Sequence, residues 1–213
     1  MGRKAGKVVL AVAGVLAAIL GLAAIVWVTA GQVVVSLSFE ARDVESIQLN
    51  GGTLALTNSG DGRLRARLPV RALPLLMVRQ TDGLLEIGGF DDSDLRVLIY
   101  PLLGASDIPA AVDDIEWELG PIALESVTVA GGTLDANGYF AERLTILGVM
   151  GSANLRDIDV GTLAVHTQGS VEIVLDGHAD VYSAMDNGGT LDAAGLDYEE
   201  FDRGVIERIL TAP

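Results

Sequence analysis

Hydrophobic positions follow two patterns along this chain. From Val8 to Ala30 there are 23 residues without a charge. From Val33 onward, apolar residues come two apart and are interrupted by glycine. As a helix the first stretch would be about 35 Å long, enough to cross a hydrocarbon core of about 30 Å with some tilt. Arg3, Lys4 and Lys7 precede it and every acidic residue follows it, so the positive-inside rule places residues 1–7 in the cytoplasm and residues 31–213 outside. Trp27 lies near the outer end, where an indole suits the interface. Val28-Thr29-Ala30 also reads as a small-residue cleavage site, but a signal h-region is about 7–15 residues, much shorter than this one. A retained anchor is therefore expected over 8–30. Gly2 does not meet the myristoylation pattern, because Gly6 stands where Ser or Thr is needed.

The second pattern predicts short strands. Val33–Phe39 is β-branched and apolar. Val44–Leu49 places Ile47 and Leu49 two apart, and Gly62–Val70 alternates Leu64, Leu68 and Val70 with Arg63, Arg65 and Arg67. Leu84–Ile87 and Leu95–Tyr100 follow, with Asp91, Asp92, Ser93 and Asp94 as the turn between them. The motif Glu45-Ser46-Ile47 with Gly51-Gly52-Thr53-Leu54 returns as Glu125-Ser126-Val127 with Gly131-Gly132-Thr133-Leu134. Gly131-Gly132-Thr133-Leu134-Asp135-Ala136 returns as Gly188-Gly189-Thr190-Leu191-Asp192-Ala193. Leading glycines at 131, 151, 169 and 188 are spaced by 20, 18 and 19 residues.

A single coil of that length cannot bury its apolar side. Coils stacked at ~4.8 Å pair with one another and make a continuous core. A parallel β-helix is therefore expected, with Leu134, Leu155, Ile173 and Leu191 in one inward column and Glu172 facing out. Tyr198–Leu210 carries an apolar stripe that predicts a short helix capping the last coil.

These residues resemble the bacterial head-GIN domains, the autotransporter-adhesin head family of unknown function. The likeness spans roughly 44–197. It rests on Gly131-Gly132, Gly151-Ser152, Gly169-Ser170 and Gly188-Gly189, preceded by Ile47–Leu49, Gly83-Leu84-Leu85-Glu86-Ile87 and Val97-Leu98-Ile99-Tyr100-Pro101. The resemblance implies a right-handed β-helix-like domain on the outer side of a bacterial inner membrane, and it supplies no catalytic residue. The acidic stretch Leu102–Pro121 departs from the family's order and is expected to be an insertion. The expected organisation is a basic tail at 1–7, a helix at 8–30, and a periplasmic domain at 31–213. That domain comprises strands and insertion (31–121), repeat coils (122–197) and a cap (198–213).

Composition narrows the chemistry. There is no cysteine, which excludes disulfides, thiolate metal sites and Cys nucleophiles. Aromatics make up 5% of residues, so Leu, Val, Ile and Ala must build the core. The net charge of −15 repels nucleic acid. The carboxylate groups Asp91/Asp92/Asp94, Asp113/Asp114 and Asp157/Asp159 read as solvated turns. Ca²⁺ binding or glycosidase chemistry is the sharper but weaker reading. His166 and His178 are not spaced as metal ligands, and no metal, cofactor or catalytic residue is expected. Arg63, Arg65, Arg67, Arg71 and Arg79 are the basic concentration outside the tail. They form intramolecular ion pairs, an edge strand protected by charge, or a docking strip for an acidic partner or lipid headgroup.

The expected function is non-enzymatic: an interaction or accessory protein, a subunit of a larger membrane complex whose small residues (Ala11, Gly14, Ala17, Ala18, Gly21, Ala24) allow close helix contact. The alternative is a carbohydrate-binding or carbohydrate-processing β-helix of the envelope.

Overall fold

The computed structural model describes residues 33–88 and 112–204. The expected membrane anchor, the Asp91–Asp94 turn and the Leu95–Tyr100 strand lie outside them. The described part is all β apart from short turns. Its strands are β1 (Val34–Glu40), β2 (Ser46–Leu56), β3 (Arg63–Pro69), β4 (Met77–Thr81), β5 (Leu84–Gly88), β6 (Glu116–Leu119), β7 (Ser126–Asn137), β8 (Phe140–Asn187) and β9 (Thr190–Phe201). They join in one sheet of order β1-β3-β6-β2-β7-β8-β9, with β5 also on β2 and β4 on β5.

β2 shows how the sheet is built. Ser46–Leu49 forms one leg and Thr53–Leu56 another, with Gly51-Gly52 at the corner between them. The first leg pairs in parallel with β5 on one side and β7 on the other. The second leg pairs in parallel with β6 and β7. β4 and β5 form an antiparallel hairpin around Asp82-Gly83, both at positive φ (48° and 81°), as a two-residue turn between right-twisted strands requires.

From β7 onward the chain keeps pairing with itself about one coil later. Ser126 lies beside Thr145 and Ala136 beside Leu155, each 19 residues on. Gly177 and Leu196 repeat that offset between β8 and β9. Backbone bonds run the same way: Thr145 N donates to Glu125 O, Asp159 N to Tyr139 O, and Asp202 N to Tyr182 O. The 48 residues of β8 would span about 160 Å if straight. They instead turn repeatedly and remain in ladder contact. At the corner of β7, Gly132 takes φ +82°, and a Cβ there would run into the Gly52 carbonyl of β2, so no side chain fits.

The interior is aliphatic, as the scarcity of aromatics requires. Ile47, Leu49, Leu54, Val127, Val129, Leu134, Leu155 and Ile173 are all buried, each contributing about 1.5–3 kcal/mol of burial free energy. Trp117 is also buried and donates its indole N–H to Gly51 O at 3.2 Å. The inward and outward parities of the repeat are as expected, with Ile173 fully buried and Glu172 exposed.

Three expectations are corrected. Leu134 pairs with Ala153, not Leu155, which stands beside Ala136; the offset is 19 on both sides of the corner, so Gly151 stacks on Gly132 rather than on Gly131, and the core column is displaced by two residues there. Glu116–Leu119, inside the stretch expected to be a solvated acidic insertion, is structured. It is β6, which joins β2 to β3 and buries Trp117 and Leu119. Tyr198–Phe201, expected to open the capping helix, ends β9: its backbone continues the pairing with β8, which outweighs a weak helical stripe. The rest of the expected cap, from 205 onward, lies outside the described residues.

Candidate functional site

The antiparallel register of β3 with β6 decides what the arginine strip looks like. Arg65 lies opposite Glu118 and Arg67 opposite Glu116, all on the solvent side because Leu64, Ala66, Leu68, Trp117 and Leu119 take the inside. Arg65 pairs with Asp61 at 3.0 Å and with Glu118 at 3.5 Å, and Arg67 pairs with Glu116 at 3.2 Å. Arg63 shares the face and stands opposite Glu40 of β1. Arg65, Arg67, Glu116 and Glu118, with Ser36 and Ser38 of β1 and the second leg of β2, line an open groove of about 720 Å³, and Arg63 lies outside its lining. The strip is thus a row of alternating charges. Arg79 lies apart on β4, 3.8 Å from Glu86. Arg71 falls in the 3₁₀ turn Val70–Leu75, beyond the end of β3.

The groove continues into a polar outer face on the stacked coils. Thr133 and Ser152 hydroxyls are hydrogen-bonded at 3.1 Å, and Asn154 donates to Asp135 at 3.0 Å. On the other leg Ser126 donates to Ser46 at 2.9 Å. Each pair joins neighbouring coils, so the face is a set of short side chains held at fixed spacing. A second open groove of about 800 Å³ runs between Pro121–Glu125 and Phe140–Arg143, with the Phe140 ring exposed beside it.

The remaining candidate residues are dispersed. Asp113 and Asp114 are exposed ahead of β6, and Asp157 and Asp159 are exposed on β8. His166 shares a 3.0 Å hydrogen bond with Asn187 of the following coil. Thr167, buried, donates to Asp186 at 2.7 Å; that bond, with the Gly188 N–H, holds the Asp186 carboxyl below its usual range. Burial, reinforced by Tyr198, pushes the Tyr182 phenol up to about 12. Tyr182, Tyr198 and Phe201 cluster with centroids 5.4–6.2 Å apart over the end of the last coil, so the first two phenols are part of an aromatic cover.

One grouping has no counterpart in the sequence reading. His178, Asp180 and Glu199 bring their ligand atoms within 4.8 Å of one another. Only the 19-residue register could have revealed it, because that register sets 178 beside 197 and 180 beside 199.

No protein-family model matches the chain, and no curated protein does. Solved structures are similar to it. A putative adhesin from Bacteroides fragilis superposes with a TM-score of 0.61 at 17% identity, over 79% of this chain and 74% of that one. A putative lipid binding protein from Parabacteroides distasonis gives a TM-score of 0.50 at 12% identity, over 79% and 76%. The likeness at these identities is one of fold, an all-β architecture shared with adhesin-like proteins.

Proposed function

We propose that this protein is a membrane-anchored interaction module of the head-GIN type. Its periplasmic part is a right-handed parallel β-helix held at the outer face of a bacterial inner membrane by the helix expected over 8–30. It acts without catalysis, as a subunit of a larger membrane complex. The observation that carries this reading is the parallel self-pairing of β7, β8 and β9 at offsets of 18–19 residues, which builds a long surface of short, mutually hydrogen-bonded polar side chains. The shared fold with an adhesin-like protein supports it.

The docking face is the alternating-charge groove around Arg65 and Arg67, with Arg63 farther along the same face of β3. Exposed ion pairs such as Arg65–Glu118 and Arg67–Glu116 are worth only about 0–1 kcal/mol, so a charged partner can exchange them at little cost. Full-length protein should resist carbonate extraction from membranes. Solubilised in mild detergent, it should bring a stable partner with it, and a variant carrying Arg63→Glu, Arg65→Glu and Arg67→Glu should not. A mature N-terminus at Gly31 would refute the anchor. A glycan-array signal without a co-purifying protein would favour the carbohydrate-binding alternative.

A further inference from the structure

We propose that His178, Asp180 and Glu199 form a binding site for an imidazole-favouring divalent transition ion, of which Zn²⁺ is the representative, and that the ion clasps β9 to β8. His178 and Asp180 are two apart on β8 and so project from the same face. Ala179 between them is buried, which sends both outward. The pairs Ala179↔Tyr198 and Val181↔Glu200 set Glu199 beside Asp180 on the neighbouring strand. Three donors from two hydrogen-bonded strands are thereby gathered by backbone pairing before any ion arrives.

The distances suit the ion. Two ligands about 2.0 Å from Zn²⁺ at a tetrahedral angle lie about 3.3 Å apart. His178 Nε2 and Asp180 Oδ1 are 3.4 Å apart. Glu199 has the longest side chain of the three and swings in from within 4.8 Å. Asp197 Oδ2 lies 4.0 Å from His178 Nδ1, on the opposite edge of the ring from Nε2. At that distance the carboxylate adds negative charge beside the ring without a hydrogen bond to it. A nitrogen donor among carboxylates favours transition ions over Ca²⁺ and Mg²⁺, which take oxygen sets. Three protein ligands leave a fourth position for water. The consequence is structural, because among the described residues β9 ends the sheet and pairs with β8 alone.

The test uses untagged full-length protein in detergent, stripped with a chelator and titrated with ZnCl₂ against a chromophoric competitor. One saturable equivalent is expected, and Zn²⁺ should slow amide exchange in β9. His178→Ala and Glu199→Gln should each weaken binding at least tenfold, and Asp113→Asn should leave it unchanged. Glu199 is exposed and His178 half-buried, so folding is checked by the metal-free denaturation midpoint; Asp180→Asn serves as the replacement if either variant unfolds. Absence of saturable binding, equal affinity in His178→Ala, or tighter binding of Ca²⁺ than of Zn²⁺ would overturn the site.

Discussion

Replacing Gly132 with alanine should destabilise the stack far more than the loss of a hydrogen atom suggests. Gly132 has φ +82°, a conformation that costs an L-residue about 1–2 kcal/mol. Its new methyl would also meet the backbone of the previous coil, 3.0 Å from Gly51 C and 3.0 Å from Gly52 N, and nearer still to Gly52 O. Backbone cannot step aside as a side chain can. The coils must separate locally, and losing two ladder hydrogen bonds at about 0.5–1.5 kcal/mol each adds about 1–3 kcal/mol. The total is about 2–5 kcal/mol. Gly138 is the internal control: its φ is +64°, but nothing lies within 4 Å of the added methyl. Gly138→Ala should cost about 1 kcal/mol, since the strain is offset in part by a less flexible unfolded chain. In urea, with a slope of about 1–3 kcal/mol/M, the two midpoints should differ by about 1 M. Equal midpoints for the two variants would show that coils do not stack at Gly132.

Two other outcomes test the assigned faces. Ile173→Asp should cost several kcal/mol by burying an unpaired carboxyl beside Leu191, whereas Glu172→Lys should change stability by under about 0.5 kcal/mol; the urea midpoints of the two variants check this, and the reverse order would refute the register. Thr167→Val should return the Asp186 carboxyl toward its ordinary range, as followed by NMR titration. A carboxyl depressed in the folded state contributes stability above its unfolded pKa of about 3.9 and loses it as pH falls through the lower folded value, so the variant should show a shallower loss of stability below about pH 4.

Much of the stacked region was legible because burial imposes a strict period of two. Ile47, Leu49, Leu64, Leu68 and Ile173 could be placed inside from alternation alone, and glycines recurring at 18–20 residues pointed to equivalent corners. The pairing of one coil with the next was only partly legible. A two-residue displacement preserves inside and outside, so hydrophobicity did not distinguish Ala153 from Leu155 as the neighbour of Leu134. β6 was hidden by its composition: Glu116 and Glu118 read as a solvated acidic stretch until β3 supplied their arginine partners. The end of β9 was misjudged because Tyr198 and Phe201 also fit a helical stripe, and only the ladder to Ala179 and Tyr182 decides between them. The His178 group depends on contacts across that same ladder, which local spacing cannot show.

The parallel one-coil register is the central claim, and the absence of native cysteine allows a direct test by disulfide trapping. Thr133 and Ser152 are register partners 19 residues apart with hydroxyls at 3.1 Å, and Ser46 and Ser126 are partners 80 residues apart with hydroxyls at 2.9 Å. Adjacent strands about 4.8 Å apart fall within the range a disulfide can bridge. Oxidation of the Thr133→Cys/Ser152→Cys and Ser46→Cys/Ser126→Cys variants should give intramolecular cross-links in nearly every molecule. The Thr133→Cys/Arg143→Cys pair, half a coil out of register, should stay reduced. Cross-linking of the half-coil pair in preference to the two register pairs would contradict the stacked architecture on which the proposed function rests.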